Sequence, residues 1–165
     1  MGTRMGKSLL FMLPAFVSPG GLLVVVVPLV ALRRDLKVRC NQLGLSAAKW
    51  TSDQAVLQTS LLLVTPEAAL TQAFTRYLTC QRAQHRLNCT FIDGCHILLE
   101  VRDEFRSKVL SISELQKFGV PIVCMTATLA VHDKEAFHRL MWEHSNPHLR
   151  FICHSIVRPM TSDGM

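Results

Sequence analysis

Short apolar runs without polar interruptions recur along this sequence at intervals long enough for a helix. Continuous rather than alternating hydrophobicity is typical of strands that are buried on both faces, as in parallel sheets. Strand and helix in alternation predict an α/β fold, a mostly parallel sheet with helices on both faces. The predicted strands are Leu22–Val27, Leu61–Val64, Cys89–Ile92, Val120–Met125 and Leu149–Cys153.

Helical patterning fills the stretches between these runs. At one helix start, Thr65 is followed by Pro66 and Glu67, so that a capping residue, a proline and an acid stand in the expected order. Ligands of parallel sheets bind at the carboxyl ends of the strands, and functional residues are expected there. The predicted helices are Leu29–Val38, Pro66–Gln81, Asp103–Lys117 and Asp133–Trp142.

The composition fits one folded domain with a modest basic surplus. The chain has 165 residues, 49% hydrophobic and 18% charged, which is enough for one α/β core and too few for two ordinary domains. Eighteen Lys and Arg against 12 Asp and Glu give a net charge of +6. This balance suits a polyanionic partner, but many basic proteins bind no nucleic acid, so the charge alone leaves that question open.

The cysteines and the N-terminal residues indicate in which cellular compartment the protein works. The six cysteines lie far apart, with no CxxC pair and no zinc-ligand spacing, which indicates a reduced intracellular protein. Arg4 and Lys7, followed by the apolar run Leu9–Val17, imitate a signal peptide, so a secreted or membrane-anchored protein stays open as an alternative. Neither that run nor Leu22–Val27 approaches the ~18 apolar residues of a membrane span, and no membrane partner is expected.

Two short motifs have the residue types that bind phosphates and magnesium. Gly6-Lys7-Ser8 opens a helix-like apolar run. In such a loop backbone amides hold phosphates, Lys reaches the outer phosphates and Ser ligates magnesium, although a lone motif of this kind also arises by chance. Asp93 ends an apolar strand, where a carboxylate can hold magnesium through water; the alternative is an ordinary turn made with Gly94.

Two further segments follow predicted strands, and only their order in the chain relative to the other motifs indicates a function. Alone, Val64–Glu67 and Thr126–Thr128 are strand-to-helix junctions with capping residues. Together the segments resemble the motifs of superfamily-two helicases, and Phe105-Arg106 and Val157-Arg158-Pro159 are similar to RecQ-family sequences, particularly fungal ones. The segments are Gly2–Ser8 (motif I), Val26–Leu32 (motif Ia), Val64–Glu67 (motif Ib), Asp93–His96 (motif II) and Thr126–Thr128 (motif III).

The resemblance implies the first of the two RecA-like lobes of an ATP-dependent DNA helicase, with ATP and magnesium as cofactors. This lobe would occupy residues 1–158, and residues 159–165 would form a frayed tail where the second lobe begins. Ser8 and Asp93 would bind magnesium, and Asp93 and His96 would act in catalysis. His96, Thr126 and Thr128 would couple the nucleotide state to DNA binding. The residues implied in ATP binding are Thr3, Gly6, Lys7 and Ser8.

The same resemblance implies a single-stranded or forked DNA partner, three-prime to five-prime unwinding, a nuclear location and a role in DNA repair. Arg33, Thr65 and Pro66 would lie near the DNA backbone, where cations and helix N-termini contact phosphates without reading sequence. For Arg33 the alternative is a solvated helix face.

Departures from the family pattern predict an impaired enzyme. Gly94 stands where the family has the Glu that activates the attacking water, a role typically worth ~10²–10⁴ in rate. Arg4 stands where the family usually has Gly, and the resemblance implies that this chain lacks the strand before motif I and the second lobe. We therefore expect a lobe that binds ATP and works, if at all, with a second lobe in trans. The alternative is a non-enzymatic remnant that binds nucleic acid through a basic face or has no activity.

Overall fold

The computed structural model describes residues 5–52, 58–94 and 114–126. Within them helices and strands alternate for the most part, with four helices and five strands given below and a further helical turn at 114–116. The helices are α1 (Met5–Val17), α2 (Val30–Gln42), α3 (Pro66–Ala69) and α4 (Gln72–Ala83). The strands are β1 (Leu22–Val26), β2 (Ala47–Lys49), β3 (Leu61–Val64), β4 (Leu87–Asp93) and β5 (Ile122–Met125).

The five strands form one sheet in the order β2-β3-β1-β4-β5, and every neighbouring pair is parallel. β1 lies at the centre, where Val25 pairs with Leu63 of β3 on one side and with Phe91 of β4 on the other. All five residues of β1 are buried. The predicted α/β fold with a parallel sheet is therefore confirmed.

Two separate apolar cores lie on the two faces of the sheet. On one face, Val24 of β1 packs with Phe74 and Leu78 of α4. On the other face, Val25 of β1 packs in one cluster with Phe11 of α1 and Leu36 of α2. Because neighbouring residues of β1 belong to different cores, the continuous apolar run of this strand is explained by helices on both sides.

Two local features differ from the predictions. The stretch Pro66–Gln81, predicted as one helix, is two helices, because Thr71 begins α4 as its N-cap. The Thr71 hydroxyl accepts from the Phe74 amide at 3.3 Å and donates to the Ala68 carbonyl at 2.7 Å. β2 was not predicted, since it has only three residues and Ala47 alone among them is buried.

Several predicted elements fall outside the described residues. These are the strand Leu149–Cys153, the helix Asp133–Trp142 and most of the helix Asp103–Lys117. In the part of the chain that the structure describes, no helix has the length and apolar character needed to cross a membrane.

Candidate nucleotide site

The N-terminus of α1 lies at the carboxyl edge of the sheet. Residues 18–21 connect the end of α1 to the first residue of β1, so the C-terminus of α1 is at the amino edge. With 13 residues α1 is about 20 Å long, and the five residues of β1 span about 16 Å. The first turn of α1 therefore reaches the edge at which ligands of parallel sheets bind.

Ser8 belongs to the stripe of α1 that faces the sheet. Ser8, Phe11, Met12 and Ala15 are all buried, and their spacing puts them on one side of a helix. The Phe11 ring meets the Phe91 ring of β4 edge-on, with centroids 5.9 Å apart. Ser8 lies about one turn before Phe11 in α1, so it is closer to the carboxyl edge than this contact.

Asp93 ends β4 on the face that α1 covers. Side chains alternate along a strand, and Cys89 and Phe91 pack in the core that contains α1, so Asp93 is on the same side. Asp93 is half-buried and lies about 7 Å beyond Phe91 along the strand. Ser8 and Asp93 thus both lie past the Phe11–Phe91 contact, toward the same edge of the sheet.

The first turn of α1 is suited to an anion. It contains Gly6 and Lys7 and has no acidic residue. The free amides of a helix N-terminus carry a partial positive charge that favours phosphates. Apart from its chain neighbours and the backbone of its own helix, no part of the described structure lies within 4 Å of the position that a Cβ would take on Gly6, so this side of the turn is open. Thr3 and Arg4, also expected near the phosphates, lie outside the described residues.

These residues fit magnesium bound together with a nucleotide. In the described part of the chain, no group of three or more His, Cys, Asp or Glu side chains could hold a metal ion. Magnesium in nucleotide sites is held by few protein ligands, with phosphates and water completing the shell. A hydroxyl from Ser8 and a carboxylate from Asp93 meet that requirement without further protein ligands.

Gly94, directly after Asp93, has a left-handed backbone with φ of 69°. Residues with a Cβ rarely adopt this conformation, and glycine adopts it freely. This is the position at which the resemblance expects Glu. It lacks a carboxylate, and its backbone conformation is one that suits glycine. His96, Cys95 and Glu100 lie outside the described residues.

The residues predicted to contact DNA follow the ends of β3 and β1, which are neighbours in the sheet. Thr65 follows β3, and its hydroxyl oxygen accepts from the Ala68 amide at 3.2 Å as the cap of α3. Pro66 is buried, so it positions this helix start instead of offering a surface. Arg33 lies in the first turn of α2, and its Nε atom is buried with no hydrogen-bond partner in the described structure.

Thr126 directly follows β5, in which Met125 pairs with Asp93 of β4. It therefore lies at the same edge as Asp93, one residue further along, whereas Thr128 lies outside the described residues. The sequence interpretation overlooked Phe11 and Phe91, whose ring contact joins α1 to β4. The spacing of Ser8, Phe11, Met12 and Ala15 was the available signal.

The cysteines of the described structure are free thiols: Cys40, Cys80, Cys89 and Cys124. Burial raises the pKa of the Cys89 thiol to about 11, against a smaller opposite effect of its hydrogen bond to the Thr90 backbone. Burial also raises the pKa of Cys40. Such thiols stay protonated at neutral pH and behave as small apolar side chains, so neither is a candidate nucleophile.

Comparison with known proteins gives one family. Residues 1–137 match the model of the DEAD/DEAH box helicase family. The chain is 32% identical over 152 residues to ATP-dependent DNA helicase Q-like 4B of Arabidopsis thaliana. The match covers 82% of this chain and 13% of the relative. It is 29% identical over 144 residues to ATP-dependent DNA helicase Q5 of Mus musculus, covering 78% of this chain and 15% of the relative.

A bacterial relative extends the match along almost the whole chain. The similarity to ATP-dependent DNA helicase RecQ of Haemophilus influenzae has 24% identity over 184 residues and covers 97% of this chain. It covers 29% of that relative. The chain thus spans less than a third of the length of each of these three proteins.

Proposed function

Because the chain belongs to the DEAD/DEAH box helicase family and corresponds to the ATP-binding domain of RecQ-like helicases, we propose that it binds ATP with magnesium and hydrolyses it poorly. The observation that carries this proposal is the placement of Ser8 and Asp93. One lies on the sheet-facing stripe of α1 and the other at the end of β4, both beyond the Phe11–Phe91 contact at the carboxyl edge.

Each residue of the site has a distinct part in this proposal. Backbone amides of the first turn of α1 donate to phosphate oxygens, and the Lys7 ammonium neutralises the outer phosphates, with Thr3 beside them. The Ser8 hydroxyl and, through water, the Asp93 carboxylate hold magnesium. When bound, magnesium draws charge from the phosphates and fixes their orientation. His96, Thr126 and Thr128 communicate the state of the nucleotide to DNA.

The weak hydrolysis follows from Gly94. A glycine offers no group that accepts a proton from water, and the left-handed backbone at this position is unfavourable for Glu. A second RecA-like lobe supplied in trans would add the arginines that such reactions use, which are worth about 10³–10⁵ in related phosphoryl transfers. With that lobe the chain would act on single-stranded or forked DNA, in the nucleus and in DNA repair.

Nucleotide binding is tested by titrating a fluorescent ATP analogue into the purified chain with magnesium. We expect saturable binding in the micromolar range, about −8 kcal/mol. Lys7→Ala is expected to weaken it by at least tenfold, since the variant loses the cation next to the phosphates. The control is Lys37→Ala, which removes an equal charge from α2. Absence of binding by a chain that is folded by circular dichroism would refute the proposal.

A second function, binding of nucleic acid without catalysis, is favoured by α2. This helix carries Arg33, Arg34, Lys37 and Arg39 and a single acid, Asp35, and it has neither a side-chain cap nor an acid in its first turn. The unpartnered Nε of Arg33 lies near that turn. Arg33 is only half-buried, so the remainder of its side chain offers a cation to a DNA phosphate near the start of the helix. This contact would involve the DNA backbone only.

Salt dependence distinguishes this DNA contact from a solvated helix face. Binding of a single-stranded oligonucleotide is expected to weaken steeply as salt rises. Arg33→Ala should lower the slope of log K against log salt by about 1, as expected for one lost phosphate contact. Arg39→Ala, in the last turn of α2, is the matched control and should change the slope little. Equal effects of the two variants would mean that Arg33 contributes only general charge.

A further inference from the structure

The side of α1 that faces away from the sheet is a large apolar surface. Its five members leave half to two thirds of their area in water, although the opposite side of the helix is buried in the core. A helix that is apolar all round is normally covered on both sides. The members of this outer face of α1 are Leu9 (51% exposed), Leu10 (56%), Leu13 (61%), Phe16 (67%) and Val17 (68%).

The size of this outer face suits an interface. Five large apolar side chains exposed to this extent present on the order of 500 Å² of apolar surface. A patch of this size is about as large as the largest apolar patch of a typical monomer, and such patches are often functional. Two such faces together bury roughly 1,000 Å², the lower limit for a specific protein–protein interface.

We propose that the outer face of α1 is an interface between two copies of this chain, with the two α1 helices antiparallel about a two-fold axis. A two-fold interface requires a surface that is complementary to itself. Leu9, Leu13 and Val17 form a ridge with i,i+4 spacing, and Leu10, Leu13 and Phe16 form one with i,i+3 spacing. The ridges cross at Leu13, so the axis passes near this residue.

The charge pattern favours a second copy over a charged partner. Between Ser8 and Val17 the helix has no charged residue. Two copies therefore meet without like-charge repulsion, whereas nucleic acid or a strongly charged protein gains no electrostatic contact on this surface. Lys7 lies on the flank of the helix, a quarter turn from the buried stripe, so the proposed phosphate contact and the outer face occupy different sides.

Sedimentation equilibrium of the full chain without nucleotide tests the interface. The wild-type chain is expected to form a dimer with a dissociation constant in the micromolar range. Leu13→Glu should weaken it by at least tenfold, because two carboxylates then meet at the axis, and Leu13→Gln should weaken it without adding charge. Val38→Glu is the matched control, since Val38 is also about half exposed but lies on α2, and it should leave the dimer unchanged.

Cross-linking tests the position of the axis. In a background in which Cys80, the exposed thiol of the described residues, is replaced by Ser together with Cys95 and Cys153, Leu13→Cys should form a disulfide-linked dimer on mild oxidation, and Val38→Cys should not. The proposal is overturned if the wild-type chain stays monomeric up to roughly 100 µM. A monomer in which the α1 amides and the thiol of Leu13→Cys are protected would show that another part of the same chain covers the face. Equal weakening by Leu13→Glu and Val38→Glu would also overturn it.

Discussion

ATP bound to this chain is expected to turn over about 10²–10⁴ times more slowly than ATP bound in an equivalent site with a positioned carboxylate. Gly94 provides no general base next to Asp93, so the proton of the attacking water goes to solvent or to a phosphate oxygen and not to a positioned carboxylate. The measurement is release of phosphate in a single turnover, with the chain in excess over ATP. Turnover on the order of 1 s⁻¹ or faster, within the ordinary range of enzymes, would contradict the expectation.

The backbone of Gly94 makes repair of this site by one substitution incomplete. With φ of 69°, a residue with a Cβ is expected to lower the free energy of unfolding by about 1–2 kcal/mol. Gly94→Glu and Gly94→Ala should show this loss in urea denaturation. Gly94→Asn should show less, because Asn tolerates the left-handed region. If Gly94→Glu were as stable as the wild-type chain and hydrolysed ATP a hundredfold faster, the turn would be able to relax, contrary to this prediction.

The sequence predicted best those elements whose residues are all buried. β3 was predicted to the residue and β1 to within one, because β3 is covered on both faces and every residue of β1 is buried, which leaves a continuous apolar run in the sequence. The helix break at Thr71 was missed, since its apolar and polar residues fit one long helix equally well. The break depends on the Thr71 hydroxyl, which accepts a hydrogen bond from the Phe74 amide in place of a helix carbonyl.

For the site, the sequence predicted candidate residues, whereas their positions depend on packing. Lys7 and Ser8 were predicted from the Gly6-Lys7-Ser8 motif and Asp93 from its place after an apolar strand, and the structure has them in the first turn of α1 and at the end of β4. The φ of Gly94 could not be predicted, because a glycine is compatible with many turns. The unpartnered Nε of Arg33 is likewise a tertiary property, since it depends on which side chains surround the guanidinium.

Phe11→Ala is expected to lower the free energy of unfolding by about 3–5 kcal/mol, the usual cost of removing a buried aromatic ring. Phe11 is fully buried, and its ring contacts the Phe91 ring edge-on at 5.9 Å. This contact joins α1 to β4. The matched control is Phe16→Ala in the same helix, where the ring is 67% exposed and the expected change in dilute solution is within about 0.5 kcal/mol. Urea denaturation, followed by circular dichroism, measures both variants.

The same variant separates packing from positioning of the nucleotide site. A ligand that binds only the native state adds RT ln(1 + [L]/Kd) to the stability, about 2.7 kcal/mol at a hundred times the dissociation constant. If Phe11 served packing alone, a fixed concentration of magnesium and ATP analogue would stabilise the wild-type chain and Phe11→Ala equally. Ser8 is on the same buried side of α1 as Phe11, and Asp93 is the last residue of the strand that contains Phe91. We therefore expect the ligand to raise the stability of Phe11→Ala by less than it raises that of the wild-type chain. Equal increments would mean that α1 keeps Ser8 in place without the ring.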